Sequence, residues 1–144
     1  MKQFNIYIAG GMKNLSKDEY DNTIELRHDM RSKLKYDNMN IDVNVCLPSD
    51  YFNYQVINHA SEKEVMRFEL NKVRHSDLII VDFCDPSSLG TMSEITVAYE
   101  HKIPILGLNL NNKNELHAWQ IEMTDRLFTS VGELLGYIKF YYLT

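Results

Sequence analysis

The chain has 144 residues, 44% hydrophobic and 24% charged, a size and balance that fit one domain, residues 1–144, with a core large enough to fold alone. Its net charge of -5 argues against a surface for a nucleic-acid polymer, and no segment approaches the length of an apolar membrane span. The first residues are too short and too polar a run for a signal-peptide core, and Cys46 and Cys84 form neither a CxxC nor a zinc spacing, so a cytoplasmic protein with two structural free thiols is expected.

Phe4–Ala9 alternates and then turns apolar, which predicts a first strand. Gly10-Gly11 follows at once, a turn where backbone can come close to a ligand. Ser16-Lys17-Asp18-Glu19 is a capping-box pattern, and the helix behind it runs to about Tyr36, with Tyr20, Ile24, Arg27/His28 and Leu34 along one side. Arg27 and Arg31, one turn apart, read as a solvated face. Asp37–Asn40 is a turn cluster, and Ile41–Leu47 alternates as a second strand. Residues 48 to about 60 form a long loop carrying Tyr51, Phe52 and Tyr54; such a loop is either functional or packed down by its aromatics.

Ser61-Glu62-Lys63-Glu64 is a second capping box, opening a helix to about His75. Its spacing puts Glu69 near the core-facing side, an unusual place for a carboxylate. Leu78–Val81 is a short β-branched run and predicts a buried third strand. A Pro/Ser/Gly loop follows, then a helix from Thr91 to about His101. Ile103–Leu108 predicts strand four, Asn109–Asn114 a polar turn, Glu115–Asp125 a helix and Leu127-Phe128 a short last strand. Ser130-Val131-Gly132-Glu133 caps a final helix through about Tyr142. Alternation of this kind specifies a parallel sheet with helices on both faces and right-handed crossovers.

The sequence holds no Walker A motif, no full dinucleotide fingerprint, no HExxH, no GxSxG and no His/Cys cluster. No metal and no cofactor are therefore expected. What remains is a group of carboxylates near strand ends (Glu94, Glu69, Asp77, Asp82 and Asp85), with Tyr7 on the first strand. Thr91-Met92-Ser93-Glu94 admits two readings. It is a capping box in which Glu94 closes a helix start, or it places an ionised carboxylate where a sugar nucleophile is needed.

Three stretches together resemble the nucleoside 2-deoxyribosyltransferase family, whose superfamily includes the 2'-deoxynucleoside 5'-monophosphate N-hydrolases. They are Ile6-Tyr7-Ile8-Ala9-Gly10-Gly11-Met12, Ser76-Asp77-Leu78-Ile79-Ile80, and Ser87–Ile95 with Ala98 and the following Lys102-Ile103-Pro104-Ile105. The resemblance runs from Phe4 to about Leu108, with a weaker echo over Leu116–Phe128. It implies a flavodoxin-like, Rossmann-like three-layer α/β sandwich with about five parallel strands. It also implies cleavage of the N-glycosidic bond of a nucleoside or nucleotide by double displacement. In that reading Glu94 is the nucleophile, the Tyr7 hydroxyl orients it, and Glu69 contacts substrate and assists the leaving base; the family more often has aspartate there. Gly10, Gly11 and Gly90 line the substrate.

One departure bears on the substrate. Ser88 stands six residues before the glutamate, where deoxyribosyltransferases commonly carry an aspartate for the sugar 5'-hydroxyl. A serine there implies tolerance of a 5'-phosphate, as in the N-hydrolases. Those enzymes also have a phosphate-binding serine where this chain has Gly11, leaving only its backbone N–H. The family completes each site from a neighbouring subunit, so a homodimer or larger homo-oligomer is implied, with His117 of the Leu116–Trp119 segment reaching the partner's phosphate. Transfer to another base and hydrolysis by water both fit. Two other readings remain open: a catalytically weak nucleotide-binding sensor or decoy of the same fold, and an interaction protein using Trp119 and Tyr141-Tyr142.

Overall fold

The computed structural model describes residues 2–36, 40–52 and 61–144. Tyr54 and the rest of the 53–60 stretch, and the centre of the turn at 37–39, lie outside the described residues. In chain order the elements are β1 (Lys2–Ala9), α1 (Lys17–Tyr36), β2 (Ile41–Cys46), α2 (Glu62–Arg74), β3 (Leu78–Asp82), α3 (Leu89–Glu100), β4 (Ile105–Leu108), α4 (Ala118–Met123), β5 (Arg126–Phe128) and α5 (Val131–Tyr142). Single 3-10 turns cover Pro48–Asp50 and Leu110–Asn112.

The three predicted serine caps form, and at Ser16 the box closes, its N–H donating to Glu19 Oε1 at 3.1 Å. The hydroxyls of Ser16, Ser61 and Ser130 accept from the N–H groups of Glu19, Glu64 and Glu133, each at 3.2 Å. Each satisfies a donor that the first helical turn otherwise leaves without a partner. Strand β4 begins at Ile105, later than the predicted Ile103, because Pro104 has no N–H to give the ladder. Helix α4 is shorter than the predicted Glu115–Asp125 and opens at Ala118, where His117 caps it.

The sheet order is β2-β1-β3-β4-β5, and every pairing is parallel. Winding reverses between β1 and β3, so the crevice past their carboxyl ends is the topological switch point, where open α/β sheets bind ligands. Strand alternation divides the core. Phe4, Ile6 and Ile8 face Met30 and Leu34 of α1 and Leu134 and Ile138 of α5. Tyr7, Ala9, Ile79 and Val81 face Val73 of α2 and Ile95 and Ala98 of α3. Helices therefore cover both faces of the sheet. Among the described residues no helix is long and apolar enough to cross a membrane.

Two expectations are corrected. Arg27 is not on a solvated face: it is 2% exposed and paired with Asp82. It lies on the inner side of α1, as the helical spacing of Tyr20, Ile24 and Leu34 indicates, and a buried charge is tolerable there because a carboxylate meets it. Arg31 is only partly buried and pairs with Asp50. The second correction concerns α3. It opens at Leu89, not Thr91, with Ser88 as its cap. Both Ser88 and Thr91 are cap-type residues, but the Ser88 backbone is extended and its hydroxyl reaches the Thr91 N–H at 3.2 Å. Thr91 and Glu94 then fall inside the helix. Tyr51 and Phe52 pack their rings 4.7 and 5.3 Å from Phe68 of α2, which favours the packing role for those two aromatics.

Candidate active site at the switch point

Tyr7 lies on β1 beside β3, with its side chain directed to the α2/α3 layer and fully buried. Glu94 projects from the inner face of α3, one turn before the buried Ala98, and is 7% exposed. The Tyr7 hydroxyl donates a short hydrogen bond to Glu94 Oε2 across 87 residues of sequence. Glu94 is therefore no cap. The sequence left cap and chemistry as alternatives, and the cap is made by Ser88 instead.

The Glu94 carboxyl has its pKa pushed up to about 8. Burial is the main cause, since a low-dielectric site disfavours the anion, and the nearby Glu69 charge adds to it. The Tyr7 hydrogen bond and the Arg27 charge oppose the rise. Glu69, half-buried on α2, lines the same cleft as Glu94. The helical spacing that put it near the core side is thus realised at the cleft wall.

The cleft encloses about 550 Å³ between the Gly10–Asn14 turn, α2 and the Asp85–Thr91 segment. Close approach explains the two turn glycines. A Cβ on Gly10 would lie 2.6 Å from the Asp82 carbonyl oxygen, and one on Gly11 would lie 2.5 Å from Ser88 Cβ. The turn after β1 therefore sits directly against the loop after β3, which brings Gly10, Gly11 and Ser88 to one wall. Gly90 also lines the cleft, but a Cβ there would meet only Ser88 Oγ, at 3.9 Å. Asp85 ties the two loops together: it accepts from the Ser87 N–H at 3.2 Å, the Ser87 hydroxyl at 2.6 Å and the Asn14 amide at 3.3 Å. Ser88 Oγ accepts from the Thr91 N–H and lies 3.0 Å from the Thr91 hydroxyl.

Three other candidates lie elsewhere. Asp77 is at the opposite end of the sheet, where it accepts from the Asn5 N–H at 2.8 Å. Asp82 is held by Arg27. His117 is exposed and does not line the cleft of its own chain; its Nδ1 accepts from the Trp119 N–H at 3.1 Å and caps α4. Cys46 and Cys84 are thiols outside any disulfide, and burial pushes both up to about 11, so neither is a nucleophile at neutral pH.

Sequence reasoning missed two supports of the site. Arg27 shares its helix side with Tyr20, Ile24 and Leu34, and only its pairing with Asp82 shows that its charge is buried. Gln120, 2% exposed, donates to the Pro86 carbonyl at 2.8 Å and so anchors α4 to the Ser88 loop. Its signal was the spacing from His117, because Gln120 Oε1 also accepts from the His117 N–H in a reciprocal cap. Among the described residues no group of three or more His, Cys, Asp or Glu side chains could hold a metal ion.

No protein-family model matches the chain, and no curated protein matches it in sequence. Solved structures do match in fold. A conserved protein from Enterococcus faecalis V583 superposes with a TM-score of 0.74 at 20% identity, over 95% of this chain and 98% of that one. A 2-deoxyribosyltransferase from Bacillus psychrosaccharolyticus gives 0.65 at 12% identity, over 92% and 91%. A CMP N-glycosidase from Clostridium botulinum gives 0.58 at 15% identity, over 95% and 98%. The chain shares the fold of these three proteins. The α/β architecture implied by the sequence resemblance, a five-stranded parallel sheet between helical layers, is the one observed.

Proposed function

We propose that this chain, as a single nucleoside 2-deoxyribosyltransferase-like domain, cleaves the N-glycosidic bond of a (2'-deoxy)nucleoside or nucleoside 5'-monophosphate. The reaction is a double displacement through a covalent glycosyl-Glu94 intermediate. The observation that carries this reading is Glu94 lining a cleft at the switch point while the buried Tyr7 hydroxyl donates to it from behind the cleft wall. Two proteins of the same fold, a 2-deoxyribosyltransferase and a CMP N-glycosidase, have names that describe this class of chemistry.

In the first displacement Glu94 attacks the anomeric carbon as the C1'–N bond breaks, and the bond's electron pair leaves with the base, which takes up a proton. Glu69, at the same cleft, is the acid placed to deliver that proton. In the second, a base nitrogen or water gives its proton to the Glu69 carboxylate, attacks the anomeric carbon and releases the Glu94 carboxylate. Attack needs the anion. With its pKa near 8, Glu94 carries a proton in the empty site at neutral pH and must lose it first. The Tyr7 hydroxyl favours the ionised form by donating to it.

The 5' end of the substrate would lie toward Ser88, Gly11 and the first turn of α3. Ser88 can donate its proton to a phosphate while its oxygen goes on accepting from Thr91. The described cleft wall is nevertheless rich in carboxylates: Glu62, Glu69, Asp85 and Glu94 line it, and Lys13, its cation, lies 3.6 Å from Glu62. A phosphate would gain from a cation brought by a second copy of the chain, and His117 of the partner subunit is the proposed source. Leu89, Tyr99, Trp119 and Ile121 on α3 and α4 are exposed and apolar, and a homodimer or larger homo-oligomer would cover them.

The test is release of free base from a panel of deoxynucleosides, ribonucleosides and their 5'-monophosphates. Release by the natural chain that vanishes in Glu94→Gln, with a sugar mass found on the Glu94 peptide after acid quench, supports the reading. Tight nucleotide binding without release would instead make the chain a sensor or decoy of this fold. Neither binding nor release would overturn the reading.

A further inference from the structure

Arg27 and Asp82 form an ion pair with 2% and 6% side-chain exposure, Nη2 lying 3.1 Å and Nε 3.2 Å from the same Oδ2. A pair taken this far out of water is weak grounds for stability, since desolvation cancels most of the attraction. Packed apolar side chains would fill the same space at no such cost. Its contacts point to a different use.

The guanidinium lies against the Gly10-Gly11 turn. A Cβ on Gly10 would sit 2.3 Å from Arg27 Nη2, so the bare glycine is what lets the charge come this close to the cleft wall. The same Nη2 lies 3.5 Å from Cys84 Sγ, whose thiol donates to the Gly11 carbonyl at 3.1 Å. One cation thus links α1, the end of β3 and both glycines of the turn after β1. Arg27 does not line the cleft and cannot touch substrate. Its field does reach Glu94, where it opposes burial and the Glu69 charge.

We propose that Arg27 is a positioning residue for Glu94: held by Asp82, it fixes the Gly10-Gly11 turn against the end of β3 and supplies buried positive charge to the nucleophile. This rests on the catalytic reading of the cleft for its purpose, but not for its test. The groups that bear on Glu94 come from four elements: Tyr7 on β1, Cys46 on β2, Glu69 on α2 and Arg27 on α1. Of these, Arg27 is the cation. Asp82 carries the counter-charge 3.1 Å from Arg27, so the double variant removes the field of both members and Arg27→Gln removes the cation alone.

The experiment uses the full chain labelled with carboxyl-13C glutamate, and the Glu94 signal is assigned by its loss in Glu94→Gln. The Glu94 titration midpoint is then compared in the natural chain, Arg27→Lys and the double variant Arg27→Met/Asp82→Asn. The double variant avoids an unpaired buried carboxylate. Should it not fold, Arg27→Gln, which keeps a hydrogen bond to Asp82 without the charge, takes its place. The neutral variant is expected to raise the midpoint, since the Arg27 charge lowers it. The acid limb of kcat/KM should move with it, and kcat should fall about tenfold as the turn loosens. Arg27→Lys restores the midpoint but not the full kcat, because it keeps the charge and loses the fork. A neutral variant that folds and titrates Glu94 at the natural midpoint overturns the proposal. If the midpoint moves while the natural chain releases no base from any substrate, the catalytic reading falls and the control of Glu94 by Arg27 stands.

Discussion

At the scale of single residues, Glu94 makes the sharpest predictions. Its folded pKa lies near 8, against an ordinary 4.5, so between those values the folded chain holds a proton that the unfolded chain has released. The stability linked to this group is fully present below about pH 4.5 and is lost as pH rises through about 8. Glu94→Gln removes that dependence. It should abolish turnover, melt with the natural chain near pH 4, and melt higher than it at pH 9 by on the order of 10 °C. Thermal melts across pH check this. The same proton should make kcat/KM rise with pH toward about 8. Glu69→Gln removes a like charge and should shift that rise to lower pH. Tyr7→Phe loses the donor to Glu94 and should shift it higher, with kcat down about 10²-fold. The resemblance singled out Tyr7 and Glu94 and helical spacing singled out Glu69, and the structure hydrogen-bonds the first two and sets Glu69 and Glu94 on one cleft. The sign and size of the Glu94 shift were not legible in the sequence. The macrodipole argument pointed to an easily ionised carboxylate, but Glu94 lies beyond the first turn of α3, and desolvation dominates there.

At the scale of elements, the start of α3 joins folding to substrate choice. Ser88 caps the helix while facing the cleft, and the two duties separate by substitution. Ser88→Ala should cost about 1 kcal/mol through the lost cap. Ser88→Asp keeps an acceptor for the Thr91 N–H, so the chain should fold normally. Its added negative charge should lower turnover of a 5'-monophosphate relative to the nucleoside. Specificity ratios for the matched pair measure this, and an unchanged ratio removes Ser88 as a phosphate ligand. The turn after β1 is as tightly constrained. Gly11→Ala would drive a Cβ into Ser88 Cβ, and denaturant unfolding should show a loss of about 1–3 kcal/mol. Strand and helix order, and three of the helix caps, could be read from alternation and from Ser-x-x-Glu spacing. The start of α3 was misread because Ser88 and Thr91 both carry cap chemistry, and only contact with the neighbouring turn distinguishes them.

At the scale of the whole molecule, the question is whether the cleft is complete in one chain. His117 caps α4 on the outside, away from its own cleft, beside the exposed ring of Trp119. If a second copy covers that surface, light scattering after size exclusion should give a dimer or larger assembly. Trp119→Glu should move the mass toward the monomer. His117→Ala should then lower turnover of the monophosphate and leave the nucleoside nearly unaffected. A natural chain that is monomeric and fully active at assay concentration would remove the shared-site proposal. The opposite outcome would account for a carboxylate-rich cleft that still accepts an anion.

The sequence by itself determined the layered α/β order, the parallel sheet and the neighbourhood of Glu94 past the third strand. These follow from hydrophobic period and from hydrogen bonds between residues three apart. Only the tertiary structure decided that Tyr7 meets Glu94 across 87 residues and Arg27 meets Asp82 across 55. It also decided that Gly11 is bare because Ser88 lies against it. The physical reason is the same in each case. Burial and long-range contact set whether a charge is solvated, paired or forced to hold a proton, and neither can be read from the residues next to it in the chain.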